Sequence, residues 1–189
     1  MPPKAKFTKE EIVRAAIGLV REKGIEAVTA RELGARLGSS ARPVFTTYAN
    51  MEEVTRDTVR AVRDIYNRYV LEGLKEPLAF RGVGKAYIRF ACEEPQFFRL
   101  LFMGAHSESV GEILPELDEN YAAILQSIVS AYSVTETEAD GLYRHLWVYS
   151  HGIATLCATG ACRFTAEEIE KMITEVFIAL LTARKGSKK

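Results

Sequence analysis

At 189 residues, 48% hydrophobic and 26% charged, the chain has the composition of a folded globular protein with one good core or two small ones, which argues against disorder. No uninterrupted apolar run approaches the roughly 18 residues of a membrane span, and MPPKAKFTKEE lacks the apolar core of a secretion signal, so a cytoplasmic protein is expected. Net charge is zero, yet residues 1–50 hold nine Lys or Arg against five Asp or Glu, which directs any nucleic-acid contact to the N-terminal end.

In chain order, Met1 to Lys6 is a short basic arm, either a phosphate or minor-groove contact or a frayed terminus. Thr8-Lys9-Glu10-Glu11 is a capping box with Phe7 and Ile12 as its staple, so the first helix runs from about Lys9 to Lys23 and stops at Gly24. Its stripe of Ile12, Ala15, Ala16, Leu19 and Val20 is expected to pack on Leu33, Leu37 and Val44. Thr29-Ala30-Arg31-Glu32 repeats the box, with Val28 and Leu33 as the staple, and starts a second helix from roughly Ala30 to Leu37 that ends at Gly38. Ser39 or Ser40 caps a third helix with Pro43 in its first turn, where the missing N–H removes no intrahelical bond. Two short helices joined by a Gly-Ser-Ser turn make a helix-turn-helix. Val44, Phe45 and Tyr48 are read as inward, and Ala41, Arg42, Thr46 and Thr47 as outward, toward a major groove. The competing reading, a helical hairpin inside a bundle, does not explain so tight a turn.

Residues 1–50 thus form one domain, and residues 51–189 a second, entered through a linking helix from Met51 to Gly73 that Asn50 caps with Glu53 at the reciprocal position. Such a helix is about 30 Å long, and Arg56, Arg60, Arg63 and Arg68 alternating with Asp57 and Asp64 read as its solvated face. Lys75-Glu76-Pro77 breaks the chain. An apolar helix follows through Phe80, Val83, Tyr87, Ile88 and Ala91, then a break at Glu94-Pro95 and a short helix from Gln96 to Met103. Gly104 to Gly111 reads as a loop, and three further helices are expected at about Glu116 to Tyr132, Glu136 to Thr159 and Ala166 to Arg184, the last opened by a Thr165–Glu168 box. Beyond it Arg184 to Lys189 is a basic tail. No segment reads as a strand or a repeat.

The run ELGARLGSSARPVFTTYANMEEV, Glu32 to Val54, resembles the helix-turn-helix core of TetR-type transcriptional regulators. YIRFACEEPQFFRLLF and the Trp147-x-x-x-His151-Gly152 run resemble, more weakly, the C-terminal domain of a Trp-His-Gly subgroup of that family. The resemblance implies an all-α homodimer, with an N-terminal three-helix DNA-binding domain and a C-terminal helical bundle for ligand binding and dimerisation. Carried onto this chain, it implies a DNA face of Thr29, Ser39, Ser40, Ala41, Arg42, Pro43, Phe45, Thr46, Thr47, Tyr48 and Met51. Phe45 and Met51 depart from the family, which commonly has a phosphate-bonding tyrosine and lysine there, so backbone affinity suffers before specificity does. Dimer contacts are implied for Leu142, Tyr149, Ile169, Met172, Ile173, Val176, Phe177 and Leu180, on an apolar face larger than one neighbouring helix covers.

Candidate chemistry in the second domain is that of binding. Phe80, Tyr87, Phe90, Phe98, Phe102, Tyr121, Trp147 and His151 would line a cavity for a small, largely apolar effector, or else merely fill a core. His145 and His151 stand six apart on one helix, about 600° at 100° per residue, and so cannot clasp a metal as an i, i+4 pair does. No nucleophile elbow accompanies Ser150-His151, and Gly82 and Gly84 sit inside a helical pattern rather than a phosphate loop, so neither an enzyme nor a cofactor is expected. Cys92, Cys157 and Cys162 lack a paired spacing for zinc, and a Cys157–Cys162 redox pair is not diagnostic. The expected whole is a repressor released from a palindromic operator by its ligand. The alternative is a helical carrier protein whose helix-turn-helix does not function.

Overall fold

The computed structural model describes residues 6–103 and 119–186, and among these every regular element is helical. The helices are α1 (Lys9–Lys23), α2 (Ala30–Arg36), α3 (Val44–Thr47), α4 (Met51–Leu74), α5 (Ala79–Glu93), α6 (Pro95–Phe102), α7 (Tyr121–Tyr132), α8 (Glu136–Ala158) and α9 (Ala166–Gly186), with a 3₁₀ turn at Ile25–Ala27. The loop expected at Gly104 to Gly111, the helix start at Glu116, most of the basic arm and the end of the basic tail lie outside the described residues.

Helix ends follow local chemistry. The boxes at Thr8–Glu11 and Thr165–Glu168 close in both directions, each threonine accepting from the glutamate N–H while the carboxylate accepts from the threonine N–H. A third such box, Thr135–Glu138, starts α8, and the sequence carries its pattern as well. At Asn50 the box is displaced by one residue: Asn50 accepts from the Glu53 N–H, but the Glu53 carboxylate reaches the Ala49 N–H, 3.1 Å away. Neither Ser39 nor Ser40 caps α3. That helix starts at Pro43 with no side-chain cap and is only four residues long, a correction to the longer third helix expected.

The chain divides into two compact units, one of residues 6–65 with 94–103, the other of residues 66–93 with 119–186. The first takes in α1 to α3, the first part of α4, and α6. Ile12, Ala16, Leu19 and Val20 of α1 are buried with Leu33, Val44 and Val54, as the stripe on α1 leads one to expect. On α6, which packs against α1, Phe97 and Phe98 are wholly buried. Each such side chain contributes about 1.5–3 kcal/mol, while the Arg21–Glu94 ion pair at 2.8 Å is exposed on the arginine side and contributes about 1 kcal/mol at most. Aromatic burial, not the ion pair, holds α6 in this unit.

In the second unit α5 and α8 run side by side in the same direction. Phe80 meets Tyr143, a β-carbon on Gly84 would touch Ser150 at 3.7 Å, and Tyr87 bonds His151 at 2.8 Å, so partners along the seam stay 63 to 66 residues apart. Phe177 of α9 closes the end of this core, its ring 5.4 Å from Phe80 and 4.8 Å from Tyr132. The end of α4 crosses α5 where Gly73 and Gly82 touch backbone to backbone. A β-carbon on Gly73 would stand 2.6 Å from the Gly82 carbonyl oxygen, and one on Gly82 would collide with the Gly73 oxygen.

Candidate functional site

Gly34 sets the geometry of the N-terminal surface. A β-carbon there would lie 2.6 Å from the backbone carbon and oxygen of Ser40, so only glycine lets the turn fold back onto α2. The turn is tied by Ser39 N–H donating to the Gly34 carbonyl at 2.8 Å, and Gly38 supplies its left-handed residue at φ 64°. From this turn Ser40, Arg42, Phe45 and Thr46 emerge exposed, while Ser39, Ala41, Pro43, Thr47 and Met51 are half-covered. Thr29 spends its side chain capping α2, accepting from the Glu32 N–H at 3.2 Å.

Two assignments need correction. Phe45, read as inward, is 50% exposed, because in so short a helix Val44 and Tyr48 occupy the single inward face and Phe45 lies 100° round from Val44. Tyr48, named among the DNA-contact residues, is 2% exposed and donates its hydroxyl to Asp57 at 2.9 Å. Burial first, then that carboxylate, push its pKa well above the usual phenol value. Its ring carries Lys9, whose ammonium lies 4.7 Å from the ring centre. Thr46 donates to the Pro43 carbonyl and Thr47 to the Phe7 carbonyl, which steadies the turn and leaves the hydroxyl oxygens as acceptors.

In the second unit a cavity of about 20 Å³, room for one water and little more, opens between α4, α5 and α8. Of the expected lining, Phe80, Tyr87 and Trp147 face it. Phe90, Tyr121 and His151 stand behind those walls: Phe90 against Tyr66, Tyr121 against Tyr143, His151 stacked on Trp147 at 5.2 Å. Phe98 and Phe102 belong to the first unit and do not line this space. The remaining wall comes from Tyr66, Val83, Gly84, Tyr143, Leu146 and Ser150, none of them foreseen. For α8 the signal existed, since Tyr143, Leu146, Trp147 and Ser150 follow one helical face. The Ser150 hydroxyl, 3% exposed, has no hydrogen-bond partner among the described residues, leaving one polar group unspent on an otherwise apolar wall.

His151 is the titratable group at the cavity's edge. Its Nδ1 lies 2.8 Å from the Tyr87 hydroxyl, and burial lowers its pKa below the ordinary 6.5. The folded chain therefore binds this proton less readily than the unfolded chain, and stability falls as pH drops below about 6.5 toward the lowered value. Thermal melts from pH 7.5 to 5 should show a wild-type loss that His151→Asn reduces. Parallel curves for the two proteins would rule out the assignment.

On the presumed dimer face, Leu142, Ile173 and Phe177 are covered by their own unit, at 0%, 1% and 8% exposure. Tyr149, Ile169, Met172, Val176 and Leu180 are half-covered. The outward apolar residues are instead Val148, Leu156 and Ile178, with Val148 64% exposed.

A family model described as "Tetracyclin repressor-like, C-terminal domain" matches residues 80–180, more than half of the 189-residue chain. No curated protein matches it.

Proposed function

Because the chain belongs to the tetracyclin repressor-like family, we propose that it is a DNA-binding transcriptional regulator, a homodimeric repressor that a small, largely apolar ligand releases from a palindromic operator. The observation that carries this reading is the Gly34–Ser40 contact, which folds the turn so that Arg42, Phe45 and Thr46 stand out together in reach of base edges and phosphates. Arg42 is the reading side chain and Thr46 its neighbour. Phe45 offers a ring where the family commonly has a phosphate-bonding hydroxyl, so this protein depends more on Arg42 and on backbone N–H groups at helix starts. Two copies would join through the outward residues of α8 and α9, Val148, Leu156 and Ile178, holding two recognition helices one DNA turn apart, roughly 34–36 Å.

The ligand would enter the cavity beside Tyr87 and Trp147 and take its one polar contact from Ser150. Since the space holds only a water, binding must move a wall. Tyr66 forms one wall and follows directly on the part of α4 that belongs to the DNA-binding unit, so α4 is the element whose movement links the two events. Coupling of about 1–3 kcal/mol, 5–150-fold in DNA affinity, is expected and must be reciprocal. No described helix is long and apolar enough to cross a membrane, which accords with a cytoplasmic regulator.

Selecting bound duplexes from a random pool tests the reading, and a recovered palindrome supports both DNA binding and dimeric reading. Arg42→Ala should then cost about 1–3 kcal/mol on the selected duplex and relax preference at one position per half-site. Failure to enrich any duplex would favour the carrier alternative, for which Phe45 and Met51 are the supporting observations.

A further inference from the structure

We propose that Phe45 is a specificity-determining residue, whose ring selects a thymine through its 5-methyl group one or two base pairs from the base that Arg42 reads. This assignment rests on the DNA-binding reading above and adds to it the kind of base the ring recognises.

The start of α3 supplies the geometry. The N–H groups of Val44, Phe45 and Thr46 donate to the carbonyls of Ala41, Arg42 and Pro43, each three residues back, so the chain here is wound as a 3₁₀ turn. Residues three apart eclipse in such a turn, which puts Arg42 and Phe45 on one side of it. At about 2.0 Å rise per residue the two stand about 6 Å apart along its axis. Bases of one strand are stacked about 3.4 Å apart, so a turn lying along the groove sets these side chains over bases one or two steps apart. The Gly34–Ser40 contact holds the turn in place.

The chemistry of the face follows from what its residues have left to give. Phe45 is 50% exposed, and among the described residues it has no ring or cation partner and Arg42 no ion pair. The hydroxyl protons of Thr46 and Thr47 are committed to the Pro43 and Phe7 carbonyls. Beside the Arg42 guanidinium the face therefore presents an apolar ring and no free threonine proton. Against the amino group of adenine or cytosine, or the O6 of guanine, that ring would strip water from a polar atom and return no hydrogen bond. The thymine methyl is the apolar group that base edges offer in the major groove, and packing the ring on it takes apolar surface of both from water.

The test starts from the duplex selected from the random pool and replaces each thymine in turn by deoxyuridine, which removes the methyl and keeps the base pair. Wild-type affinity should fall about fourfold at one thymine per half-site, the worth of one buried methyl. That thymine should lie one or two base pairs from the position whose preference Arg42→Ala relaxes. Phe45→Ala should bind the thymine and uracil duplexes equally, and Phe45→Leu, which keeps an apolar side chain, should retain part of the difference. A scan in which no thymine at that spacing responds, or a response as large in Phe45→Ala as in the wild type, would overturn the proposal and leave DNA binding standing. Enrichment of no duplex at all would overturn the reading beneath it as well. Because the scan is made on the wild-type chain, misfolding of a variant cannot hide the answer.

Discussion

Gly82→Ala should destabilise the second unit by about 2–3 kcal/mol, although alanine is the better helix former by about 1 kcal/mol. The added methyl meets the Gly73 carbonyl oxygen and stands 2.9 Å from the Glu76 β-carbon, atoms that cannot rotate away. Relief demands that α4 and α5 separate, and every contact flanking the crossing loosens with them. For a chain of this size the melting temperature should fall by roughly 5–10 °C. Gly84→Ala, two residues along, provides the contrast: its methyl would meet only side-chain atoms at 3.6 and 3.7 Å, so the propensity gain survives. Urea melts of both variants decide the matter, and equal stabilities would show that the crossing tolerates a side chain.

The second large effect is expected at Gly34. Gly34→Ala places a methyl 2.6 Å from the Ser40 carbonyl and 2.8 Å from the Ala41 nitrogen, so the turn must move outward and carry Arg42 and Thr46 with it. Binding to a selected duplex should fall more than tenfold, at least 1.4 kcal/mol, while circular dichroism stays close to wild type. Gly18→Ala is the matched control. Its methyl would meet the Arg36 guanidinium at 2.6 Å, but that is the free end of a long side chain, and swinging it aside costs only an exposed pair with Glu22. Wild-type affinity for Gly34→Ala would mean that the turn does not position the reading face.

Where structure depends on neighbours in sequence, it could be read in advance. Thr8 with Glu11 marks the start of α1 and Gly24 its end, because a cap is a bond between residues three apart. All-helical architecture followed from 3.6-residue periodicity in the same way. What failed was set by contacts between distant segments. The start of α3 is decided by Ser40 lying on Gly34, and the exposure of Phe45 by how little of that short helix faces inward. Phe98 and Phe102 carry the same aromatic, helical signature as Phe80 and Trp147, and periodicity says that a face is buried without saying in which unit. Ser150 and Gly84 became part of a cavity only through the register of α5 on α8.

That seam also sets a timetable for synthesis. The described elements of the first unit end with α6, so it has all of them once residue 102 has been made. α5, made earlier, must wait for its partner stretch of α8 about 65 residues later, which at roughly 5–20 residues per second is about 3–13 s. Through that interval Phe80 and Tyr87, both buried in the finished protein, lack the α8 side chains Tyr143 and His151 that they meet. The nascent chain thus carries, between α4 and α6, an apolar helix still without its partner, and its yield in the cell should depend on chaperones that hold such a helix until α8 arrives.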